Sequence, residues 1–590
     1  MSVEALMRRI DAAMGDRPLD MVVHGARVVN VYTGEIEVAD VGIVDDTIVW
    51  LGELSQERLD EAGEVLDWSG RTVVPGFFDP HFHIGGSQLR IPELARALLA
   101  RGTTTIVSDL QEIYAYAGKQ GVRYILDEAA GSGLRVFFVP AAHLLGMERR
   151  GQYAHAVDAD EMIEMLDWPE VVGINEPPPE MVLGKNPGTL KVLDAARERG
   201  LAFPGHLPGV LGTPLQAYAA AGATSDHESQ SAEEAIQKLR LGLWTMMREG
   251  SAAVDLENVL PMLGQFPEAT RWAMLCSDEQ DAPEIVDIGN VDNKIRIALR
   301  GGISTVDAVR MGTVNPALYY RVDHLVGSIA PGKLADLVAV EDLESFQVTD
   351  VIAAGRVVVR DREVLVKPAP PDYPEALQSR VRWARPIEPA DFRVPADGVE
   401  ANVRVIGVED GSLVAERLEA TLPVADGGVL AAPERDILKI AVINRHRPDR
   451  ELSTAFIQGL GLENGAVAST YCHVHYNALV IGTDDDQMAL AAQELAALGG
   501  GVVVISNGEP VMSWALPLVG VFATDPLEKA QQDLAATNDA LKKIGCKFSS
   551  PILGLSFVAL TTIPSYGMTE RGLFEVQEER FVPCVIEPAV

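Results

Sequence analysis

Two histidines, His81 and His83, stand one residue apart in "TVVPGFFDPHFHIGGSQL" (residues 72–89), just after an apolar run that ends in Pro-Gly. They alternate with Phe82, so on an extended segment both imidazoles point to one side and the phenylalanine to the other. Such a pair can share one ion, yet on a strand it is as readily structural as metal-binding. Its weight comes from where other residues of the same chemistry fall. His206 follows the strand-like "LAFPG" and His227 closes "GATSDHE", while Glu176 closes "VVGINE" and Asp278 closes "AMLCSD". Each stands where a strand should end. Four imidazoles and two carboxylates placed in this way make a mixed nitrogen and oxygen set suited to one or two divalent transition ions.

For these residues to meet, parallel strands must bring their C-terminal ends to one face. Residues 75–323 carry the pattern for that. Buried strand-like runs ("TTTIVSDL", "LRVFFVPA", "EVVGINE", "LAFPGHLP", "ATSDHE", "WAMLCSD") alternate with segments read as helices, such as "EEAIQKLRLGLWTMMREG". The alternation predicts an α/β protein with enough units for a (β/α)8 barrel, whose strand ends converge on the catalytic face. Residues 1–74 hold a polar amphipathic helix and a Val/Ile-rich meander, "MVVHGARVVNVYTGEIEVADVGIVDDTIVWLG". A matching strand-rich stretch returns within residues 324–366, and the two pieces are expected to pair into one composite β-sandwich domain that the barrel interrupts. Residues 367–398 carry seven prolines and read as an extended linker. Residues 399–590 form an additional C-terminal α/β domain, with strand-like "ILKIAVINRH", "NALVIGT" and "GVVVISNGEPV" around the helix "DDQMALAAQELAALGG".

A chain of 590 residues is too long for one ordinary core and suggests two to four folding units. Its formal net charge of -36 argues against affinity for nucleic-acid phosphate or an anionic membrane, since both reward clustered Lys and Arg. The four cysteines, Cys276, Cys472, Cys546 and Cys584, form no CxxC pair, which removes zinc-finger and redox-motif readings and suits a reducing compartment. The N-terminus lacks the apolar core of a signal peptide, and no apolar run reaches the roughly twenty residues that span a bilayer. A cytoplasmic enzyme acting on a small molecule is the expectation.

With the elements placed, "VVPGFFDPHFHIG" resembles the first metal motif of the amidohydrolase superfamily, and "GSIAPGKLADLVAVEDL" is similar to its β-domain return. Within that superfamily, "TTTIVSD", "GINEP", "GHLPGVLGTPLQAYAAAGATSDHES", "GTVNPALYYRVDHLVGSIAPGKLADLV" and "LSFVALTTIPSYGMTERGLFEV" resemble the adenine deaminase family, across essentially the whole chain. The resemblance implies that His81 and His83 hold one metal with Asp278, and that Glu176 bridges to a second metal completed by His206 and His227. Many relatives use a carboxylated lysine at the bridging position; Lys185, in the polar loop that follows, is a poor substitute. Two divalent ions of manganese, iron or zinc are implied, and so is a homo-oligomer. In the family reaction, water activated by the ions attacks C6 of adenine, and ammonia leaves. Asp278 would take the water proton and pass it towards the leaving group, while Glu228 or Glu112 would protonate the ring nitrogen. Each of those two glutamates is equally well read as a supporting or surface carboxylate.

Three departures from the family pattern fall near the expected pocket. Gly85, Gly86 and Ser87 replace an acidic residue and two serines; Asp109, Leu110, Gln111 and Glu112 replace Asp-Pro-His-Glu; and "HVHYN", residues 473–477, replaces His-Asp-Ser-His-Asn. Gly85, Ser87, Asp109, His475 and Asn477 are therefore candidate substrate contacts. His143, after "VFFVPAA", is another, or else a core or loop histidine. The glycines predict room for a larger substrate, and "HVHYN" reads as a cap over the barrel mouth or as a further metal site. His24, His155, His324 and His446 have no strand-end placement. The leading expectation is a metal-dependent deaminase of adenine or a related amino-purine. Its alternative cleaves a cyclic amide or other C–N bond, and a non-catalytic relative would have no reason to keep all six ligands.

Overall fold

The computed structural model describes residues 2–251, 253–412, 415–448, 451–562 and 565–586. At its centre is the (β/α)8 barrel. Strands Phe77–Asp79, Thr103–Ser108 and Arg135–Phe138 pair in parallel, and single bridges at Val171 and Gly173 carry the ring onward. Pro204–Gly205, Ser225–Asp226, Trp244–Arg248 and Ala273–Cys276 complete it. Closure comes just past the last strand, where Asp278–Glu279 pairs in parallel with Phe82–His83 and the Asp278 amide donates to the His81 carbonyl at 3.0 Å. The chain's last ligand candidate is thereby set against its first two.

The crossover segments are helical because their apolar residues recur at helical spacing. In Ile91–Ala100, Ile91, Leu94, Ala95, Leu98 and Leu99 are buried together, and Pro92 sits in the first turn, where no intrahelical amide bond is lost. The stretch "EEAIQKLRLGLWTMMREG" is not one helix, contrary to the expectation. Ser231 caps a helix over Ala232–Leu239 by accepting from the Glu234 amide, Gly242 turns the chain at φ +85°, and Trp244–Arg248 is the seventh barrel strand. A strand buried on both faces shows no alternation, so an unbroken apolar run hid the change of period.

Residues 21–75 and 337–364 join in one nine-stranded sheet. Thr72–Pro75 is the seam, parallel to Met21–Val29 on one side and antiparallel to Leu337–Val340 on the other. Val23, Val41, Trp68, Leu337 and Ile352 give the sheet its own core. Helix Val3–Met14 lies against it, with Arg8 and Arg9 paired to Asp45 and Asp46, both at 2.9 Å.

The C-terminal region is built on a second nine-stranded sheet whose inner strands include Ile437–Ile443, Ala466–Ser469, Ala478–Gly482 and Gly501–Ser506. Successive side chains take opposite faces. Ala441, Ile443, Ala466, Ala468, Val503 and Ile505 pack on helix Asp485–Leu498. Their neighbours Ile440, Val442, Val467, Val502 and Val504 join the apolar cluster that continues into the barrel. The proline-rich segment is fastened rather than free. Arg90 donates to the Ala369 carbonyl at 2.9 Å, the Tyr116 hydroxyl to the Gln378 carbonyl at 2.9 Å, and the Ser379 amide to the Pro517 carbonyl at 2.7 Å. Leu377, Ile387 and Phe392 are buried along it. Among the described residues, no helix is long and apolar enough to cross a membrane.

Candidate active site

The six strand-end side chains meet at the barrel mouth. His83 Nε2 lies 3.1 Å from Glu176 Oε1 and 3.4 Å from Asp278 Oδ1, and His81 Nε2 lies 3.5 Å from the same Asp278 oxygen. Glu176 Oε2 faces the other pair, 3.0 Å from His227 Nε2 and 3.4 Å from His206 Nδ1. Glu176 thus turns Oε1 to His83 and Oε2 to His206 and His227, while His81 Nε2 also lies 3.6 Å from Oε2 and its ring stacks on His227 at 4.0 Å. The backbones of Glu176 and Asp278 are left-handed, at φ +26° and +62°, conformations that non-glycine residues hold only where the surroundings over-determine them. Lys185 is exposed in the following loop and contributes nothing here.

The donor set suits divalent ions. His81 Nε2, His206 Nδ1 and Glu176 Oε2 are buried with no hydrogen-bond partner, although such atoms normally have one. The triads His81, His83, Glu176 and Glu176, His206, His227 each place one donor atom per residue within 4.8 Å of the others. Two cations held there would satisfy atoms that are otherwise orphaned, with imidazole and carboxylate ligands of the type borderline transition ions take.

Charge around the centre is held by groups behind it. Arg248, fully buried at the end of the seventh strand, donates from Nη1 to Glu228 Oε1 and to Asp278 Oδ2, both at 2.9 Å, and from Nη2 to Asp255 at 2.8 Å. Burial opposes its charge, yet Glu228, Asp278 and Asp255 outweigh that and raise its pKa well above the usual value. In turn, burial would raise the Asp278 carboxyl, but His81 and Arg248 overcome it and hold it far below the usual range. Glu228 is depressed likewise, with Arg248 and then His206 prevailing over burial. On the other flank, His83 Nδ1 lies 3.2 Å from Asp109, which accepts from Asn175 Nδ2 at 2.8 Å. That contact sets the ring so that Nε2 faces Glu176, the usual support of a ligating histidine.

A cleft of about 620 Å³, counted out to solvent, opens over these groups. Its walls include His83, Gln111, His143, Glu228, Glu279, His473, Val474 and Phe557. The other candidates sit elsewhere. Asp109 is buried behind His83. Ser87 bonds its own turn, donating to the Ile84 carbonyl at 2.7 Å. His475 donates to the Met147 carbonyl at 3.1 Å and stacks on Tyr153, while Asn477 donates to Glu570 at 3.0 Å. Glu112 is buried outside the lining, where burial and Asp109 push its carboxyl up to about 8. Gly85 and Gly86 do not leave space. A Cβ on Gly85 would meet Glu112 Oε1 at 2.1 Å, and one on Gly86 would meet Glu279 Oε2 at 2.4 Å. The carboxyl groups of Glu112, in the first turn of helix Gln111–Ala130, and of Glu279, just past the eighth barrel strand, fill the room that the glycines vacate.

Sequence reasoning passed over Arg248, Asn175 and Glu279 as site residues, and it reached Gln111 and His473 only as members of the departing segments 109–112 and 473–477. Arg248 carried a signal, since it ends an apolar run as the histidines do, but the run was assigned to a helix. His473 comes from a turn of the C-terminal domain and had no barrel position to mark it.

Comparison with known proteins places these features in context. Residues 72–358 match the amidohydrolase family, and residues 412–580 match the adenine deaminase C-terminal domain. The adenine deaminase of Moorella thermoacetica is 34% identical, with 99% of this chain and 98% of that protein covered. That of Brucella abortus is 35% identical, with 97% and 96% covered. Among solved structures, a β-aspartyl dipeptidase from Fervidobacterium islandicum AW-1 shares 19% identity and covers 59% of this chain and 98% of its own, with a TM-score of 0.45.

Proposed function

Because this chain belongs to the adenine deaminase family of amidohydrolases, we propose that it hydrolyses adenine at the carbon bearing the exocyclic amine and releases ammonia. The observation that carries this is the meeting of four imidazoles and two carboxylates at the strand ends, with orphaned donor atoms facing inward.

His81, His83 and Asp278 would hold one divalent ion and His206 and His227 a second, with Glu176 available to either; manganese, iron and zinc all suit these donors. Such ions lower the pKa of water by several units and so supply a nucleophile near neutral pH. The chain's own residues handle the protons. Asp278, oriented by Arg248, would accept a proton from the attacking water and deliver it to the departing amine. Of the two acids expected for the ring nitrogen, Glu228 lines the cleft and Glu112 does not. Glu228, held as a carboxylate beside Arg248, would take the other proton of the water and deliver it to the ring nitrogen. Gln111 and His143, bonded to each other at 2.8 Å, present polar atoms at the rim.

We also infer a homo-oligomer acting in the cytoplasm. Val3, Met7, Ile10 and Met14 expose an apolar stripe along the first helix, and all four cysteines are free.

The test is ammonia release from a panel of amino-purines against ring opening of cyclic amides, with metal analysis of the same preparation. Ammonia from adenine, lost on chelation and restored by manganese, iron or zinc, is expected. Ring opening without ammonia would transfer the enzyme to the cyclic-amide alternative.

A further inference from the structure

One group of metal-type donors shares only Glu176 with the ligands of the two ions. Asp109, His143 and Glu176 follow the second, third and fourth barrel strands, and each offers one atom within 4.8 Å of the other two. All three are buried, and His143 is 7% exposed. Nε2 of His143 donates to Gln111 Oε1 at 2.8 Å, so Nδ1 carries a lone pair, and that atom is buried with no hydrogen-bond partner. Ligating histidines are held in this way, with the other ring N–H on an oxygen. Nδ1 lies 3.9 Å from Asp109 Oδ2, and two such acceptors repel unless something positive stands between them. A water donating to both would hold them about 4.5 Å apart. Two ligands on one ion, at the roughly 2.1 Å of metal bonds to imidazole and carboxylate, stand about 3–4 Å apart, which fits. Asn175 keeps the two carboxylates side by side, its Nδ2 donating to Asp109 Oδ2 at 2.8 Å and to Glu176 Oε1 at 3.1 Å.

We propose that Asp109, His143 and Glu176 bind a third divalent ion, separate from the two held by His81, His83, Asp278, His206 and His227. One imidazole and two carboxylates, with water completing the shell, suit manganese or zinc. This ion binds more weakly than the other two. The protein gives it three donors, one of them the Glu176 on which the first pair also draws, and cations this close repel one another. It therefore loads last, and it works against the enzyme. Asp109 sets the His83 ring through Nδ1 at 3.2 Å, and Glu176 Oε1 lies 3.1 Å from His83 Nε2. An ion that draws on both carboxylates loosens His83 and whatever His83 holds, so excess metal inhibits.

The experiment is equilibrium dialysis of the metal-free, full-length chain against manganese, with excess magnesium present to occupy surface carboxylates. Wild type, His143→Ala and His143→Phe are compared, and ammonia release from adenine is read over the same metal range. Wild type should bind two equivalents tightly and a third more weakly. Both variants should keep the tight pair, which also reports that they fold, and hold the third at least about 10- to 100-fold more weakly, the loss that even a supporting residue of a metal site causes. The wild-type rate should rise with the first two equivalents and fall with the third; each variant, relative to its own maximum, should lose the fall. Anomalous scattering from manganese-soaked wild-type crystals needs no variant, and a peak between His143 Nδ1 and Asp109 Oδ2 is expected. A wild type that saturates at two equivalents, or has no such peak at saturating metal, overturns the proposal. So does a third equivalent held equally well by both variants, which would be an adventitious ion only. None of these results touches the deamination reading, which fails only if adenine yields no ammonia at any loading.

Discussion

Arg248 donates from Nη1 to Asp278 Oδ2 at 2.9 Å, across two neighbouring strands of the barrel. The other oxygen of Asp278 faces His81 and His83 at 3.5 and 3.4 Å. One carboxylate is thus held from behind by a fixed cation and presented forward to the imidazoles. Its orientation is set before any substrate arrives, which is the form of preorganisation that favours catalysis.

Replacing Arg248 by Met should therefore damage both fold and rate. It leaves Glu228 and Asp278 as buried carboxylates without their cation, a loss on the order of 3–5 kcal/mol. Arg248→Lys restores the charge but not the fork that reaches Glu228, Asp278 and Asp255 together, so it should recover stability more than activity. Thermal denaturation and ammonia release measure the two effects. A Met variant with the melting temperature and rate of the wild type would remove Arg248 from the centre.

Asp278→Asn keeps the shape of the side chain and its contact with Arg248 but removes the proton acceptor. Its kcat should fall by about 10²- to 10⁴-fold, with little change in the circular dichroism spectrum. Near-normal turnover in this variant would refute the proton-transfer role.

Glu112 predicts a slope of stability with pH. Its carboxyl has a pKa of about 8 in the folded chain against a reference of 4.5, raised by burial and by Asp109, and neither oxygen has a hydrogen-bond partner. An acid whose folded pKa lies above its unfolded one binds its proton more tightly in the native state. Its contribution is therefore full below the unfolded value, falls as pH rises from there to about 8, and stays lost above. Glu112→Gln, a neutral near-isostere, should match the wild type at about pH 5 and exceed it at about pH 8.5 by something on the order of a few kcal/mol. Denaturant titrations at the two pH values decide it, and equal stabilities at both would show that Glu112 is ionised throughout.

Gly86→Ala should harm the protein more than Gly85→Ala. The added methyl at 85 meets the end of the Glu112 side chain, which can turn aside, while at 86 it also meets the Gln280 amide nitrogen at 2.9 Å. Overpacking against backbone costs about 1–3 kcal/mol. Melting temperatures should fall in that order, and the reverse order would mean that Glu112 is the more rigid neighbour.

The sequence was legible wherever the signal was local. A buried parallel strand is a short apolar run whatever surrounds it, so the alternation around "TTTIVSDL" and "LRVFFVPA" sufficed to expect a barrel. The residue closing such a run lies at a strand end, which is why His206, His227 and Asp278 could be singled out together. Trp244–Arg248 failed on the same criterion. Its apolar run continues that of the preceding helix, and a lone Gly242 was too weak a break to separate them.

What depended on distant contacts was not legible. On an extended segment His473 and His475 would share a side, yet the turn that carries them sends His473 to Glu279 and His475 to the Met147 carbonyl. The missing side chains of Gly85 and Gly86 suggested a wider pocket. Whether a glycine leaves a void depends on what else reaches it, and Glu112 reaches in from the first turn of helix Gln111–Ala130 and Glu279 from just past the eighth barrel strand.

The fastening of residues 367–398 has a mechanical consequence. Bonded to helix Gln111–Ala130 through Tyr116 and to the C-terminal region through Ser379, this segment acts as a splint. The two large bodies it joins cannot swing apart as a jaw without breaking those bonds.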